Sequence, residues 1–171
     1  MFQKIFRSRF VILFLIASAF AFYRFYLRKP PESIILEKLP IKTLEGKNLN
    51  FNEFKGRTVF LSFWATWCGD CRKEMPGLQS AIAKTNGKNI AFLLVSDENK
   101  EKVTTFIKQF NYNESSFYLL NESYRKQGIK AIPTNYIISP SGKVLLLETE
   151  SGRDWSTEEN IRLLKDLISR P

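Results

Sequence analysis

Cys68 and Cys71 are the only cysteines in the 171-residue chain, they form a single C-x-x-C, and there is no histidine. Without an imidazole, Cys-His and Ser-His nucleophilic sites are excluded, as are His-ligated zinc, His-held haem and a His proton shuttle. Two thiolates are also too few for a closed structural zinc site, which takes four N or S ligands. Cys, carboxylate, Lys or Tyr chemistry remains, and the strongest use of the pair is a reversible dithiol/disulfide. A static structural disulfide is the competing use. The setting, Phe63-Trp64-Ala65-Thr66-Trp67-Cys68-Gly69-Asp70-Cys71, favours redox chemistry, because the first thiol falls where a strand ends and a helix begins.

The positioning elements follow from hydrophobic pattern. Thr58 to Trp64 is a nearly unbroken apolar run rich in β-formers, as expected of a central strand buried on both faces. Residues 69 to 85 read as a helix with Pro76 inside it. Backbone N–H groups and the helix dipole at its start would lower the pKa of Cys68 and make it the nucleophile. Cys71, three residues on and nearly one turn away, would be the more buried resolving thiol.

Ile90 to Val95 reads as a second buried strand, and Asp97 or Asn99 can cap a helix whose Val103, Phe106, Ile107 and Phe110 share one face. Ile41–Leu44 and Leu49–Phe51 read as short edge segments around a turn at 45–47. Ser116–Leu120 is expected as a strand, and 122–127 as one or two helical turns ended by Gly128. Asn135–Ser139 and Lys143–Glu148 make a hairpin, followed by a helix with a Ser156/Glu159 capping box. The order β-α-β-α then β-β-α predicts an α/β fold, a central mixed sheet with helices on both faces.

The first 29 residues hold six bases and no acid, out of 26 basic and 17 acidic residues and a net charge of +9, so the remainder carries only +3. Basic charge beside an apolar segment points to a membrane rather than to nucleic acid. Fourteen uncharged residues run from Phe10 to Tyr23, or eighteen reach Leu27 if Arg24 snorkels, enough to span a bilayer. Three bases lie on each side, so charge alone leaves the orientation a tie. Residues 1–29 are thus expected to be an uncleaved anchor, with a cleaved signal peptide ending near Ala17-Ser18-Ala19 as the alternative and a buried soluble helix as the weakest reading, since a core helix rarely sits between clusters of cations. Residues 30–38, opening with Pro30 and Pro31, would be a linker and 39–171 the folded domain.

Over roughly residues 36 to 170 the chain resembles the thioredoxin superfamily, and most closely its membrane-anchored TlpA/ResA-type thiol-disulfide oxidoreductases. The resemblance rests on Phe63-Trp64-Ala65-x-Trp67-Cys68-x-x-Cys71, on Pro76 five residues past Cys71, and on Ile132-Pro133-Thr134 followed by a strand, a Gly142 turn and another strand. It implies the thioredoxin-like three-layer fold. It also implies a cis bond at Pro133 beside the cysteines, with the backbone at Ile132 and Pro133 pairing with substrate. Residues 111–129 match the strand and helix that this type inserts, and Glu74 matches its active-site carboxylate. Trp67 would shape the substrate rim, whereas Trp64 would be packing. Glu74, between Arg72, Lys73 and Met75, is otherwise readable as a solvated side chain.

Three departures stand out. Asp70 replaces the proline common before the second cysteine, and like-charge repulsion would raise thiol pKa and favour the reducing end. Ser62 stands where thioredoxin has a buried aspartate, leaving Glu74 as the better base. Cytoplasmic thioredoxins have no anchor. The resemblance therefore implies an extracytoplasmic, single-pass reductase of protein disulfides, monomeric and free of cofactor or metal, recharged by a transmembrane electron donor. Apocytochrome c is the typical substrate of the type. A disulfide oxidase or isomerase is the alternative, and a thiol peroxidase a weaker one, since the Pro-x-x-x-Thr-x-x-Cys arrangement is absent. A copper-delivery protein of similar fold needs a distal His that this chain does not have.

Overall fold

The computed structural model describes residues 11–23, 29–85 and 89–169. Residues 11–23 form helix α1, whose Leu13, Phe14, Ile16 and Phe22 side chains are exposed. Among the described residues no helix is long and apolar enough to cross a membrane. The rest of the expected anchor, residues 1–10 and 24–28, lies outside the described residues.

The domain follows as β1 (Ile41–Thr43), β2 (Thr58–Phe63), α2 (Gly69–Thr85), β3 (Ile90–Ser96), α3 (Lys100–Phe110), β4 (Phe117–Leu120), β5 (Thr134–Ile138), β6 (Val144–Thr149) and α4 (Glu158–Ile168). The six strands make one mixed sheet in the order β1-β4-β3-β2-β5-β6. β2, β3 and β4 run parallel, while β5 is antiparallel to β2, β6 to β5 and β1 to β4. Every residue of β2 and β3 is buried, as the unbroken apolar runs require of strands covered on both faces.

Side chains alternate between two cores, because successive residues of a strand point to opposite faces. On one face Phe60, Phe92, Leu94 and Ile137 pack with Met75 and Leu78 of α2, Phe106 of α3 and Leu164 of α4. On the other, Val59, Leu61, Phe63, Leu93 and Tyr136 pack under Leu36, Phe51, Phe54 and Tyr124. All three domain helices therefore share one face. The crossovers β2-α2-β3 and β3-α3-β4 step the same way across the sheet, and right-handed crossovers then place both helices on one side. Among the described residues, the helical cover expected on the second face is present only as the short 3-10 turns Leu36–Lys38, Phe51–Phe54 and Tyr124–Gln127.

Three local expectations are corrected. Leu49–Phe51 is not a strand: a single bridge joins Lys42 to Asn48, and Asn50 then caps the 3-10 turn by accepting the Asn52 N–H. α4 is capped by Thr157, which accepts the Asn160 N–H, rather than by Ser156. Ser156 is committed upstream, donating its N–H and Oγ–H to Asp154 Oδ1 at 2.9 and 2.6 Å. Residues 30–38 are not a free spacer, since Tyr136 donates its hydroxyl to the Pro31 carbonyl at 2.9 Å and Ile34 and Leu36 pack on the sheet. Elsewhere Asn99, not Asp97, caps α3. Asp97 instead accepts the Tyr124 N–H.

Candidate active site

β2 ends with the Trp64 N–H donating to Val95 O at 3.1 Å, and the chain then turns over the C-terminal edge of the sheet. This turn is clamped by a carboxylate from the neighbouring strand end. Glu98 accepts the Thr66 N–H at 2.6 Å and its hydroxyl at 3.0 Å. The Cys68 carbonyl accepts the Arg72 N–H at 3.1 Å and so opens α2, making Cys68 the residue that caps the helix.

Cys68 and Cys71 are joined in a disulfide, with Cα atoms 5.3 Å apart. The Cys71 N–H points at Cys68 Sγ at 3.2 Å. This is the geometry in which a Ser or Asp cap accepts a first-turn N–H, and a Cys68 thiolate would take the same donor and the same positive helix end. Cys68 keeps 6% of its surface exposed against 1% for Cys71, which suits attack at Cys68. The Ile132–Pro133 peptide is cis, and the Ile132 carbonyl oxygen lies 3.6 Å from Cys68 Sγ. The Pro133 carbonyl is already taken by the Glu150 N–H at 2.8 Å.

The two tryptophans differ in burial. Trp64 is buried, its ring 5.2 Å from Phe106 and 5.4 Å from Phe117. Trp67 is 64% exposed and borders an open groove with Thr66, Arg72, Lys102, Phe106 and Phe110. Asp70 is exposed and paired with Lys73 Nζ at 2.9 Å.

Glu74 is not the solvated side chain that its basic neighbours suggested. It is 1% exposed on the inward face of α2, one turn beyond Cys71. Its Oε1 accepts the Asn135 amide of β5 at 2.6 Å and the indole N–H of Trp155, while Oε2 is buried with no partner among the described residues. Loss of hydration pushes its pKa up to about 7, against the opposing pull of the two N–H donors; Glu148 adds to the rise and Arg153 reduces it. Arg153 binds the Glu148 carboxylate, reaches Asn160 Oδ1 at 2.7 Å and lies 5.3 Å over the Trp155 ring.

Asn135, Trp155, Glu98 and Thr66 were missed by sequence reasoning. Asn135 carried a usable signal. An Asn inside Thr-Asn-Tyr-Ile-Ile, on a strand otherwise apolar, must meet a polar partner when buried. Trp155 lies in a loop, and nothing local marks which carboxylate its N–H reaches.

A cysteine pair at a strand-to-helix junction, facing a cis-proline turn across a mixed sheet, defines a thioredoxin-like dithiol/disulfide protein. The sequence profile of the AhpC/TSA family matches residues 36–146, and the chain belongs to that family. Within it, the chain is 33% identical over 144 residues to the thiol-disulfide oxidoreductase ResA of Bacillus cereus (strain ATCC 10987 / NRS 248), covering 80% of this chain and 83% of that protein. It is 27% identical over 130 residues to ResA of Bacillus subtilis (strain 168), covering 73% and 71%. A thiol:disulfide interchange protein from Bacteroides sp. superposes with a TM-score of 0.63 at 22% identity, over 77% of this chain and 86% of that one. StoA from Bacillus subtilis does so with 0.54 at 24%, over 74% and 92%. The two structures carry the fold; the ResA relatives carry the class, thiol-disulfide oxidoreductase.

Proposed function

We propose that this chain is an extracytoplasmic reductase of protein disulfides, acting by thiol-disulfide exchange through Cys68 and Cys71. The observation that carries the reading is the Cys68 cap, with the Cys71 N–H on its sulfur and the Ile132 carbonyl beside it. In the reduced form the Cys68 thiolate attacks a substrate disulfide, forming a mixed disulfide and releasing one substrate thiolate. Cys71 then gives up its proton and attacks Cys68 Sγ. The Cys68–substrate bond breaks, the second substrate thiolate leaves, and the Cys68–Cys71 disulfide forms. Two electrons pass to the substrate, and a dithiol donor must return two electrons and two protons.

Glu74 is the group that takes the Cys71 proton, being buried on the same helix face with a pKa near 7. Trp67 and the Ile132–Pro133 backbone receive the substrate chain around Cys68. Residues 1–29 anchor the protein, with the domain on the extracytoplasmic side. The exposed apolar surface of α1 and the bases on either side support the anchor, and the side of the membrane is taken from the resemblance to the TlpA/ResA type. On this reading the protein is monomeric, residues 39–171 do the chemistry, and a transmembrane electron donor recharges the pair. Substrates are protein disulfides, with apocytochrome c the leading candidate.

The deciding measurement is the reduction potential of Cys68–Cys71, by equilibration of the full chain in defined thiol/disulfide buffers with alkylation and mass readout. A value at or below about −230 mV, in the thioredoxin and glutaredoxin range, supports a reductase. One near about −120 mV would replace this reading with disulfide formation.

A further inference from the structure

The buried carboxylate is held by two neutral donors from elements far from the cysteines in sequence. Asn135 reaches it from β5, the strand antiparallel to β2, and Trp155 from the loop before α4. Both bond the same oxygen, Oε1. Trp155 is itself fully buried, with Phe60 edge-on at 4.9 Å and the Arg153 guanidinium over its ring, so its N–H direction is set by packing. The carboxyl thus has one oxygen anchored twice and one, Oε2, with no partner among the described residues.

We propose that Trp155 and Asn135 are positioning residues for the dithiol reaction: anchoring Oε1 from two directions, they fix the Glu74 carboxyl and leave Oε2 as the atom that accepts and releases the proton. The proposal rests on the reading of Glu74 as the group that takes the Cys71 proton. In that step the proton moves from Cys71 Sγ to Oε2, the Cys71–Cys68 bond forms, the Cys68–substrate bond breaks, and the electron pair leaves on the substrate sulfur. Two N–H donors on one oxygen favour the carboxylate and oppose the desolvation that favours the acid, so they keep the base usable near neutral pH. Among the described residues the charged groups that act on the carboxyl are Glu148 from β6 and Arg153 from the following loop, and Cys71 lies one turn earlier on the same helix. α4 contributes only the neutral Asn160, through Arg153.

Trp155→Phe removes the donor and keeps an aromatic ring in the site, and Asn135→Ala removes the second donor independently. Both are tested in the full chain in detergent. The first readout is a carbon-13 NMR titration of the Glu74 carboxyl in the oxidised protein, assigned by its loss in Glu74→Gln. The second is the pH profile of single-turnover oxidation of the reduced chain by insulin disulfides. Each variant is expected to raise the carboxyl midpoint by about one pH unit, the scale of a lost hydrogen bond to a charged group, and the turnover midpoint should rise with it. A merely structural role would lower melting temperature and leave both midpoints in place. Unmoved carboxyl midpoints in folded variants overturn the positioning role itself. A carboxyl midpoint that moves while the turnover profile stays fixed also overturns the proposal, and then the fault lies in the role given to Glu74.

Discussion

Glu74 offers a test that needs no substrate. Its carboxyl has a pKa of about 7 in the folded protein against 4.5 as the ordinary value. The folded state therefore binds the proton more tightly than the unfolded state. The stability this contributes is full below pH 4.5 and is lost as pH rises through about 7. A difference of about 2.5 units at about 1.36 kcal/mol per unit makes the loss about 3 kcal/mol. Glu74→Gln has the shape of the protonated acid and keeps an oxygen for Asn135 and Trp155, so it lacks this pH dependence. With the disulfide kept intact the thiols do not titrate, and other groups cancel in the comparison. Urea unfolding followed by tryptophan fluorescence should give nearly equal stabilities near pH 4. By pH 8 the variant should be more stable by about 3 kcal/mol, a midpoint gap of about 1–2 M urea. Curves that stay parallel from pH 4 to 8 would refute the burial argument for the carboxyl.

Gly77 gives a test of sign. In an exposed helix Gly→Ala stabilises by about 1 kcal/mol. Here the added Cβ would sit 2.7 Å from the Trp155 backbone N and 2.8 Å from Asp154 Oδ1, so Gly77→Ala should lower the melting temperature. A rise would mean that α2 and the 154–156 loop are not in close contact. Glu98→Ala leaves the Thr66 N–H without its acceptor and should cost about 1–3 kcal/mol, seen in chemical denaturation. Cys68→Ser should abolish turnover of insulin disulfides, whereas Cys71→Ser should accumulate a mixed disulfide visible on a non-reducing gel. Full activity in Cys68→Ser would reverse the two thiol roles.

The parts of the fold that were legible in sequence are those where one local pattern admits one structure. The apolar run from Thr58 and the one from Ile90 could only be buried strands, and they pair in parallel at the centre of the sheet. Of the stripe Val103, Phe106, Ile107 and Phe110, the first three are the buried face of α3, and Phe110 at the helix end is exposed. Cys68 and Cys71 were legible for the same reason, since their spacing and the strand-to-helix junction are local. What was not legible depends on partners distant in the chain. Glu74 sits between cationic and apolar neighbours, and only Asn135 and Trp155, 61 and 81 residues later, show that it points inward. The capping of α4 was read one residue early because Ser156 and Thr157 are both competent caps. The choice between them is made by Asp154, which engages Ser156. Helical cover on the second face was inferred from fold class, while the actual cover depends on where the chain from 34 to 54 lies.

The site is assembled from stretches that are made at different times. Cys68 and Cys71 leave the ribosome long before Ile132, Asn135 and Trp155. A chain synthesised only through α3 has both sulfurs and the capping N–H but neither the Ile132 carbonyl nor either donor to Glu74. Its thiols are then those of a bare helix start, without the facing turn or the oriented carboxyl. The full arrangement is reached only when β5 has paired with β2 and the loop before α4 has packed against α2. Completion of the site thus waits on non-local pairing that the cysteines' own stretch does not contain.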